Sequence, residues 1–380
     1  MAEKKRVLLV PPYEAEFSRS LVLGVGNYAM AYGPWELDVP GMRGSTRTMP
    51  NLDQWRGDGI LMPIVHRDQV SQLDRNGVPY VNVTAFDVAN TVRNDNDAIA
   101  TTACEHLYER GFRRFAYFEA NPTIYSAQRA KALTAWCMQR DLAYSISTGA
   151  AVEGPLMPEE RGARARAFLP TLRRPCGLVA SNDEGARALL EEATAMGIRV
   201  PQDLGIIGVD NELFCQFTRP TLSSVIPDGY RVGFEAAAML DRLMKGGTLE
   251  KPRLIPPKGV AQRESTDALV MMDEVLAEAV RFIRSHGNVP LEVWDVLREV
   301  PASRRTLERR FMEQVGHTPA REIRLAQIAH VKKLLTETDW KIERVARASA
   351  FRTIKAMGRI FKNETGLTPG EWREKHRVQE

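Results

Sequence analysis

Cysteine and histidine are scarce in this sequence, and neither is clustered. The four cysteines, at 104, 137, 176 and 215, lie far apart with no CxxC pair. That spacing excludes a disulfide framework and a zinc knuckle, and leaves them as small core hydrophobes. The six histidines include no HExxH, and the chain has no GxSxG elbow with a placed histidine, so neither zinc-dependent nor serine hydrolysis is indicated. His66 and His106 stand alone and are expected at surface or hydrogen-bonded positions. No catalytic residue, metal ligand set or cofactor is expected. Long apolar runs are missing too. The opening "MAEKKRVLLVPPYE" has only four apolar residues in a row before two prolines, too few for a signal-peptide core, and nothing approaches a membrane span. A cytoplasmic protein with no membrane partner is expected. No Gly/Ser-rich or Pro-rich linker interrupts the chain, so its parts are expected to be closely coupled.

What is present is ordinary in bulk and uneven in detail. The chain has 380 residues, 44% apolar and 26% charged, enough for two or three domains with proper cores. The net charge of +4 is not spread evenly: residues 1 to 267 hold 31 Lys and Arg against 32 Asp and Glu, whereas 301 to 377 hold 18 against 9. A local basic excess is the footprint expected of a phosphate-binding surface.

From Lys5 to about Gly259, the short apolar runs "RVLLV", "GILMPIV", "PYVNV", "RFAYF", "GLVAS" and "GIIGV" alternate with helical segments such as 97 to 110 and 184 to 196. Runs of this kind, bounded by Gly and Pro, predict buried parallel strands and an α/β domain. One large sheet and two smaller lobes remain equally open. After "IPPKGVAQREST" the strand signals stop and apolar residues recur at three and four, as in Val275, Ala279, Phe282 and Ile283. An all-helical domain is predicted there, with a boundary near 264 to 270.

The helical part contains an internal repeat. "SRRTLERRFMEQVGHTP" aligns without a gap on "TIKAMGRIFKNETGLTP", fifty residues later, bringing Arg309 onto Arg359, Phe311 onto Phe361, Gly316 onto Gly366 and Pro319 onto Pro369. Each copy reads as helix, tight turn, helix, the second helix spanning 303 to 315 and 352 to 365. Leu307 with Phe311, and Met357 with Phe361, must face inward. Ser303, Arg304, Arg305, Glu308 and Arg309 then face outward in the first copy, and Arg352, Thr353, Lys355 and Arg359 in the second. Double-stranded DNA is the partner this suggests, with a helix of each copy in the major groove about one helical turn, ~34 Å, apart. Two solvated basic helices in an adaptor are the alternative.

In the α/β part, "LGVGNYA" has the GxGxxA spacing of a dinucleotide site, but its glycines fall inside a helical stretch, Ser18 to Tyr32, fourteen positions beyond the first strand. Small residues packing a helix against a sheet account for it better. A second set of polar residues sits at the expected C-terminal ends of strands or in the loops that follow: Asp95, Arg129, Asn182 with Asp183, and Asp210 with Asn211. Ligands bind at that edge of open parallel sheets. A forked Arg donor, carboxylate acceptors and an amide fit the vicinal hydroxyls of a sugar, with Phe17 or Tyr13 available to cover its C–H face. Each Asp or Asn taken singly is equally a turn or helix-cap residue.

Two family resemblances sharpen this reading. Val275 to Lys375 resembles the DNA-binding domain of the AraC family: "AREIRLAQIAHVKKLLTETDWKIERVA" is similar to its linker helix and "AFRTIKAMGRIFKNETGLTPGEWR" to its closing signature. The chain departs from that pattern with Ala350 in place of a glycine and Met357 in place of an aromatic residue. Residues 5 to 266, through "VRNDNDAIATTACEHLYERGFRRFAYF", "LVASNDEGARALLEEATAMGIRVPQDLGIIGVDNELF" and "GVAQREST", resemble the effector domain of the LacI/GalR repressors. The resemblance implies two α/β lobes, a hinge, an interlobe sugar site at Asp95, Arg129, Asn182 and Asp210, and pairing into a homodimer. It divides the chain into an effector domain over 1–266 and a DNA-binding domain over 267–380. The combination, with "FSRSLVLGVGNYAMAYGPWEL" and its Arg19, is similar to the xylose operon regulator group, which implies a D-xylose-responsive transcriptional activator. A different monosaccharide effector, a sugar-metabolising enzyme fused to a helical domain and a ligand-independent DNA binder are the alternatives.

Overall fold

The computed structural model describes residues 4–12, 16–40, 51–147, 156–267, 274–315, 317–351 and 353–376. Tyr13, Gly316 and Arg352 lie outside the described residues. The chain forms two compact units, Met1–Ala268 and Leu269–Glu380.

All six apolar runs of the α/β part are strands, because each gives a stretch of aliphatic or aromatic side chains that is largely buried. The first unit contains β1 (Lys5–Leu9), α1 (Glu16–Tyr32), β2 (Trp35–Asp38), β3 (Gly59–Met62), α2 (Arg67–Asn76), β4 (Tyr80–Asn82), β5 (Val92–Asn94), α3 (Asn96–Tyr108), β6 (Arg114–Phe118), α4 (Ile124–Met138) and β7 (Ala143–Ser147). It continues with α5 (Pro158–Phe168), β8 (Cys176–Ala180), α6 (Asp183–Ala195), β9 (Leu204–Val209), β10 (Ser223–Ile226), α7 (Gly229–Met244), β11 (Arg253–Ile255) and β12 (Gly259–Ala261). These strands make two lobes. The first has a parallel sheet ordered β2-β1-β3-β4, extended by the pair β11-β5 through an Asn82–Thr91 bridge. The second has the order β12-β10-β9-β8-β6-β7, parallel except for β12. Side chains alternate across the first sheet: Val7 and Leu9 join a core with α1 and α7, while Leu8 and Ile60 face a separate core with Trp55 and Leu73.

The chain passes between the lobes three times, after β5, after β10 and after β11. The crossings lie side by side: Asp95 N donates to Ile255 O at 2.8 Å, and Lys258 N donates to Ile226 O at 2.8 Å. These short, hydrogen-bonded segments put the C-terminal edges of both sheets at one interlobe cleft.

Gly24 of "LGVGNYA" packs α1 against α7 rather than against a sheet. A Cβ on Gly24 would stand 2.1 Å from Tyr230 O, and one on Gly233 of α7 would stand 2.1 Å from Leu21 O. His106 is buried, with Nε2 2.8 Å from Thr266 Oγ1, His66 is exposed at the start of α2, and the four cysteines are free and buried. No helix among the described residues is long and apolar enough to cross a membrane.

The second unit is helical: α8 (Glu274–Ser285), α9 (Val293–Glu299), α10 (Arg304–Gln314), α11 (Pro319–Glu337), α12 (Ile342–Arg347), α13 (Ile354–Thr365) and α14 (Pro369–His376). It has two cores. Leu276, Val280, Val296, Leu307 and Phe311 form one around α8 to α10, and Val345, Met357 and Phe361 form the other around α12 and α13. Helix α11 belongs to both, contributing Ile323 to the first and Ile328, Val331 and Leu335 to the second. Ala350 does not adopt a left-handed conformation, so the second turn closes without the glycine that the AraC pattern carries. The Met357 side chain fills its core position fully buried.

Candidate effector site and nucleic-acid interface

The loops after β5, β8 and β9 and the first turns of α3, α4 and α6 meet at the C-terminal edge of the second lobe's sheet. Arg129, on α4, is buried there. Its Nε donates to Asn96 Oδ1 at 2.9 Å, its Nη1 donates to Ser181 O, and its guanidinium lies 4.8 Å from the Tyr125 ring centre. Asn96 passes the network on through Nδ2 to Gln128 Oε1 at 2.8 Å. Arg129 thus touches the neighbour of Asp95 on one side and the neighbour of Asn182 on the other. Asp95 and Asn182 are both helix caps, accepting from Ala98 N and Gly185 N at 2.9 Å each, which satisfies orphan donors of α3 and α6. One oxygen of Asp95 remains outside those bonds, and the Asn182 side chain also hydrogen-bonds the Tyr125 hydroxyl.

Asp210 closes the group, and its backbone is strained. It has φ 112°, and Asn211 has φ 56°, a left-handed conformation that costs a non-glycine residue of order 1–3 kcal/mol. The turn is held by β10 and by Arg263: Asp210 N donates to Val225 O at 3.1 Å, Asn211 N to Ser224 Oγ at 2.9 Å, and Arg263 Nη2 to Asn211 Oδ1 at 2.7 Å. The Asp210 carboxylate is buried and accepts no hydrogen bond among the described residues. Burial pushes its pKa up to about 8, although Arg129 acts in the opposite direction and Asp183 and Glu212 add to the rise. Asp183, the first residue of α6, is likewise pushed up to about 7 by burial, while Glu212 N (2.8 Å) and Ser224 Oγ (2.7 Å) donate to its carboxylate and oppose the shift.

Tyr125, Gln128 and Asn96 were not singled out by spacing. Tyr125 lies among Arg129, Asp210 and Asn182, and burial raises its hydroxyl pKa. The aromatic placement expected of Phe17 is different in the structure: its ring is buried in the first lobe's core, against Gly229 of α7. Arg19 is exposed on α1 and bonds Glu16 Oε2 at 2.9 Å and Glu212 Oε2 at 3.6 Å. Glu16 N also donates to Glu212 Oε1 at 2.7 Å. These contacts join the first lobe's α1 to the second lobe's post-β9 loop at the rim of the cleft.

In the helical unit, the fifty-residue repeat is carried into geometry. Ser303 caps α10 by accepting from Thr306 N at 3.2 Å, and Thr353 caps α13 by accepting from Ala356 N at 3.1 Å. Leu307, Phe311, Met357 and Phe361 are all fully buried, which fixes the opposite face of each helix as the outward one. Arg304, Arg305, Arg309, Thr353, Lys355 and Arg359 are exposed, and Glu308 is half-buried. Each pair of helices has the helix-turn-helix form whose second helix can enter a major groove.

Comparison with known proteins places this architecture. A model of the periplasmic binding protein-like domain matches residues 104–266, and one of a helix-turn-helix domain matches 296–375. The xylose operon regulatory protein of Escherichia coli (strain K12) is 27% identical over 386 residues, covering 98% of this chain and 97% of its own length. Its counterpart from Haemophilus influenzae is 28% identical over 370 residues, covering 94% and 95%. The solved structure of a xylose-binding transcription activator matches with a TM-score of 0.62 at 27% identity, over 99% of this chain and the whole of that one. The chain is homologous to these xylose operon regulators over almost its full length: a two-lobed periplasmic-binding-protein-like domain followed by a C-terminal AraC-type helix-turn-helix domain, and so a DNA-binding transcriptional regulator rather than an enzyme.

Proposed function

We propose that this regulator is cytoplasmic and sugar-responsive, that its effector is a monosaccharide bound between the lobes of the first unit, and that D-xylose is that sugar. The observation that carries the reading is the convergence of Arg129, Asn182 and Asp210 with a buried Asp210 carboxylate that accepts no hydrogen bond among the described residues. A burial cost of that kind is offset when a ligand hydroxyl donates to the carboxylate. Asp95 offers a second acceptor, Arg129 a forked donor, Asn182 an amide, and Tyr125 a ring for the sugar's C–H face. The homologues' names supply the pentose. Effector domain 1–266 would close on the sugar, and DNA-binding domain 267–380 would take up its operator in response, as an activator and in a homodimer whose two copies occupy paired sites.

Thermal denaturation against D-xylose, L-arabinose, D-ribose, D-glucose and D-galactose tests the reading. Sugar at about 100 times its dissociation constant stabilises the folded state by ~2.7 kcal/mol, several degrees of Tm. The expected result is a shift with D-xylose that Asp210→Asn removes. A shift with another sugar would replace the effector, and no shift with any of the five would overturn the monosaccharide reading.

A further inference from the structure

The repeat makes the two helix-turn-helix units comparable position by position, and their outward faces are not alike. Arg305 and Arg309 of α10 correspond to Lys355 and Arg359 of α13, so both faces are basic. However, α10 carries one carboxylate between them, Glu308, and another one turn beyond, Glu313. Glu308 Oε1 accepts from Arg304 Nε at 2.9 Å, and Glu313 Oε1 accepts from Arg309 Nη1 at 3.1 Å. The Arg304 guanidinium also lies 5.8 Å from the Trp294 ring centre, so it is held between an indole and the Glu308 carboxylate. In α13 the corresponding positions are Gly358 and Asn363. Lys355 and Arg359 have no ion-pair partner among the described residues, and a Cβ on Gly358 would meet nothing within 4 Å.

A carboxylate in the middle of a face turned toward a polyanion weakens binding to every sequence, unless it accepts a hydrogen bond that offsets the repulsion. The major groove supplies such a donor in the exocyclic N4 amino group of cytosine, the base that Glu and Asp side chains recognise. The cationic side chains of α13 include no reader of cytosine: Arg and Lys fit guanine O6 and N7 or phosphates, and phosphates position the protein without reporting sequence.

We propose that the two units divide recognition: α10 reads base sequence with Glu308 accepting from a cytosine amino group, and α13 holds the duplex through phosphates contacted by Lys355 and Arg359. This inference rests on the helix-turn-helix units being the DNA-binding surface. Arg304 acts as a positioning residue, fixing the carboxylate through its 2.9 Å bond. Gly358 removes the side chain that would otherwise occupy the Glu308 position in α13.

The test is selection from a random-sequence duplex pool with the full chain, with and without D-xylose, for wild type, Glu308→Gln and Lys355→Ala. Salt titration of the selected duplex follows for each. Glu308 is half-buried and Lys355 exposed, and unchanged melting temperatures check that the variants are folded. Glu308→Gln is expected to lose the preference for cytosine at one base pair, or exchange it for adenine, the partner of an amide. Lys355→Ala is expected to keep the selected sequence while the slope of log affinity against log salt falls by about 1. The proposal is overturned if Glu308→Gln selects the same sequence and binds every duplex more tightly, as removal of a simple intrahelical ion pair would. It is equally overturned if Lys355→Ala changes the preference at a single base pair. A wild-type protein that enriches nothing under either condition would take down the DNA-binding assignment itself, a failure recognisable before any variant is compared.

Discussion

Asp210 concentrates the unusual chemistry of the effector lobe into one residue. Its backbone is left-handed, and burial raises its carboxyl pKa to about 8, next to Asp183 at about 7. Both groups titrate near 4 in an unfolded chain. Between pH 4 and 8 the folded state therefore binds more protons than the unfolded state, and the sign of linkage follows: what these groups contribute to stability is greatest below about pH 4 and is lost as pH rises through 7 and 8. Asp210→Asn keeps the shape of the protonated acid but cannot ionise. Melting temperatures of the two proteins are expected to be similar near pH 4 and to separate progressively as pH rises to 8, in favour of the variant. A constant difference across that range would mean that Asp210 ionises freely in the folded state. Asn182 and Asp210 were legible in the sequence because they follow the recognisable strands β8 and β9, whereas Asp95 and Arg129 stood out by residue type alone; Asp95 and Asn182 cap helices, as Asp and Asn commonly do. Their mutual arrangement was not legible. Arg129 reaches Asn96 and Ser181 across 33 and 52 residues, and Tyr125 reads as one more half-buried aromatic until the fold brings Asp210 beside it.

Elements followed the sequence where burial was strong and departed from it where burial was weak. The six apolar runs are interior strands, and the repeat gave both helix-turn-helix units. Strand β7, "AYSIS", lies at the sheet edge with its first three residues exposed, so it carries no apolar run to be recognised. Strands β5, β11 and β12 have three residues each and belong to or flank the lobe crossings, too short for a period to show. The choice between one sheet and two lobes was also out of reach, since it depends on which strand neighbours which, and the local pattern is the same in both. Helix α1 shows how finely packing acts within one element. Gly24 faces α7 with no room for a Cβ, whereas a Cβ on Gly26, two residues on, would have nothing within 4 Å. Gly24→Ala is expected to force the helices apart at a cost of about 1–3 kcal/mol. Gly26→Ala should leave stability unchanged or raise it by up to about 1 kcal/mol through helix propensity. Equal melting temperatures for the two variants would show that α1 does not pack on α7 through Gly24.

At the scale of the whole molecule, the lobes and the helix-turn-helix units are connected by equilibria. Three short crossings allow the lobes to turn against each other, and the contacts of Glu212 with Glu16 N and Arg19 tie one rim of the cleft across that hinge. Sugar bound between the lobes favours whichever arrangement gives it more hydrogen bonds, and it can shift the DNA-binding equilibrium only by its difference in affinity between the arrangements. Linkage then demands reciprocity: the factor by which effector tightens DNA binding equals the factor by which DNA tightens effector binding, typically about 5- to 150-fold for couplings of this kind. Fluorescence anisotropy of a labelled selected duplex, titrated with protein at zero and saturating D-xylose, gives the first factor. Calorimetric titration of D-xylose into the protein, free and duplex-bound, gives the second. Equal factors greater than one are the expected outcome and would establish the activator sense of the switch, and equal factors below one would make the protein a repressor released by its sugar. Factors of one in both directions would separate the sensor from the DNA-binding units altogether. Unequal factors would require a third equilibrium to take part, and repeating both titrations at tenfold higher protein concentration would show whether it is association of the two copies.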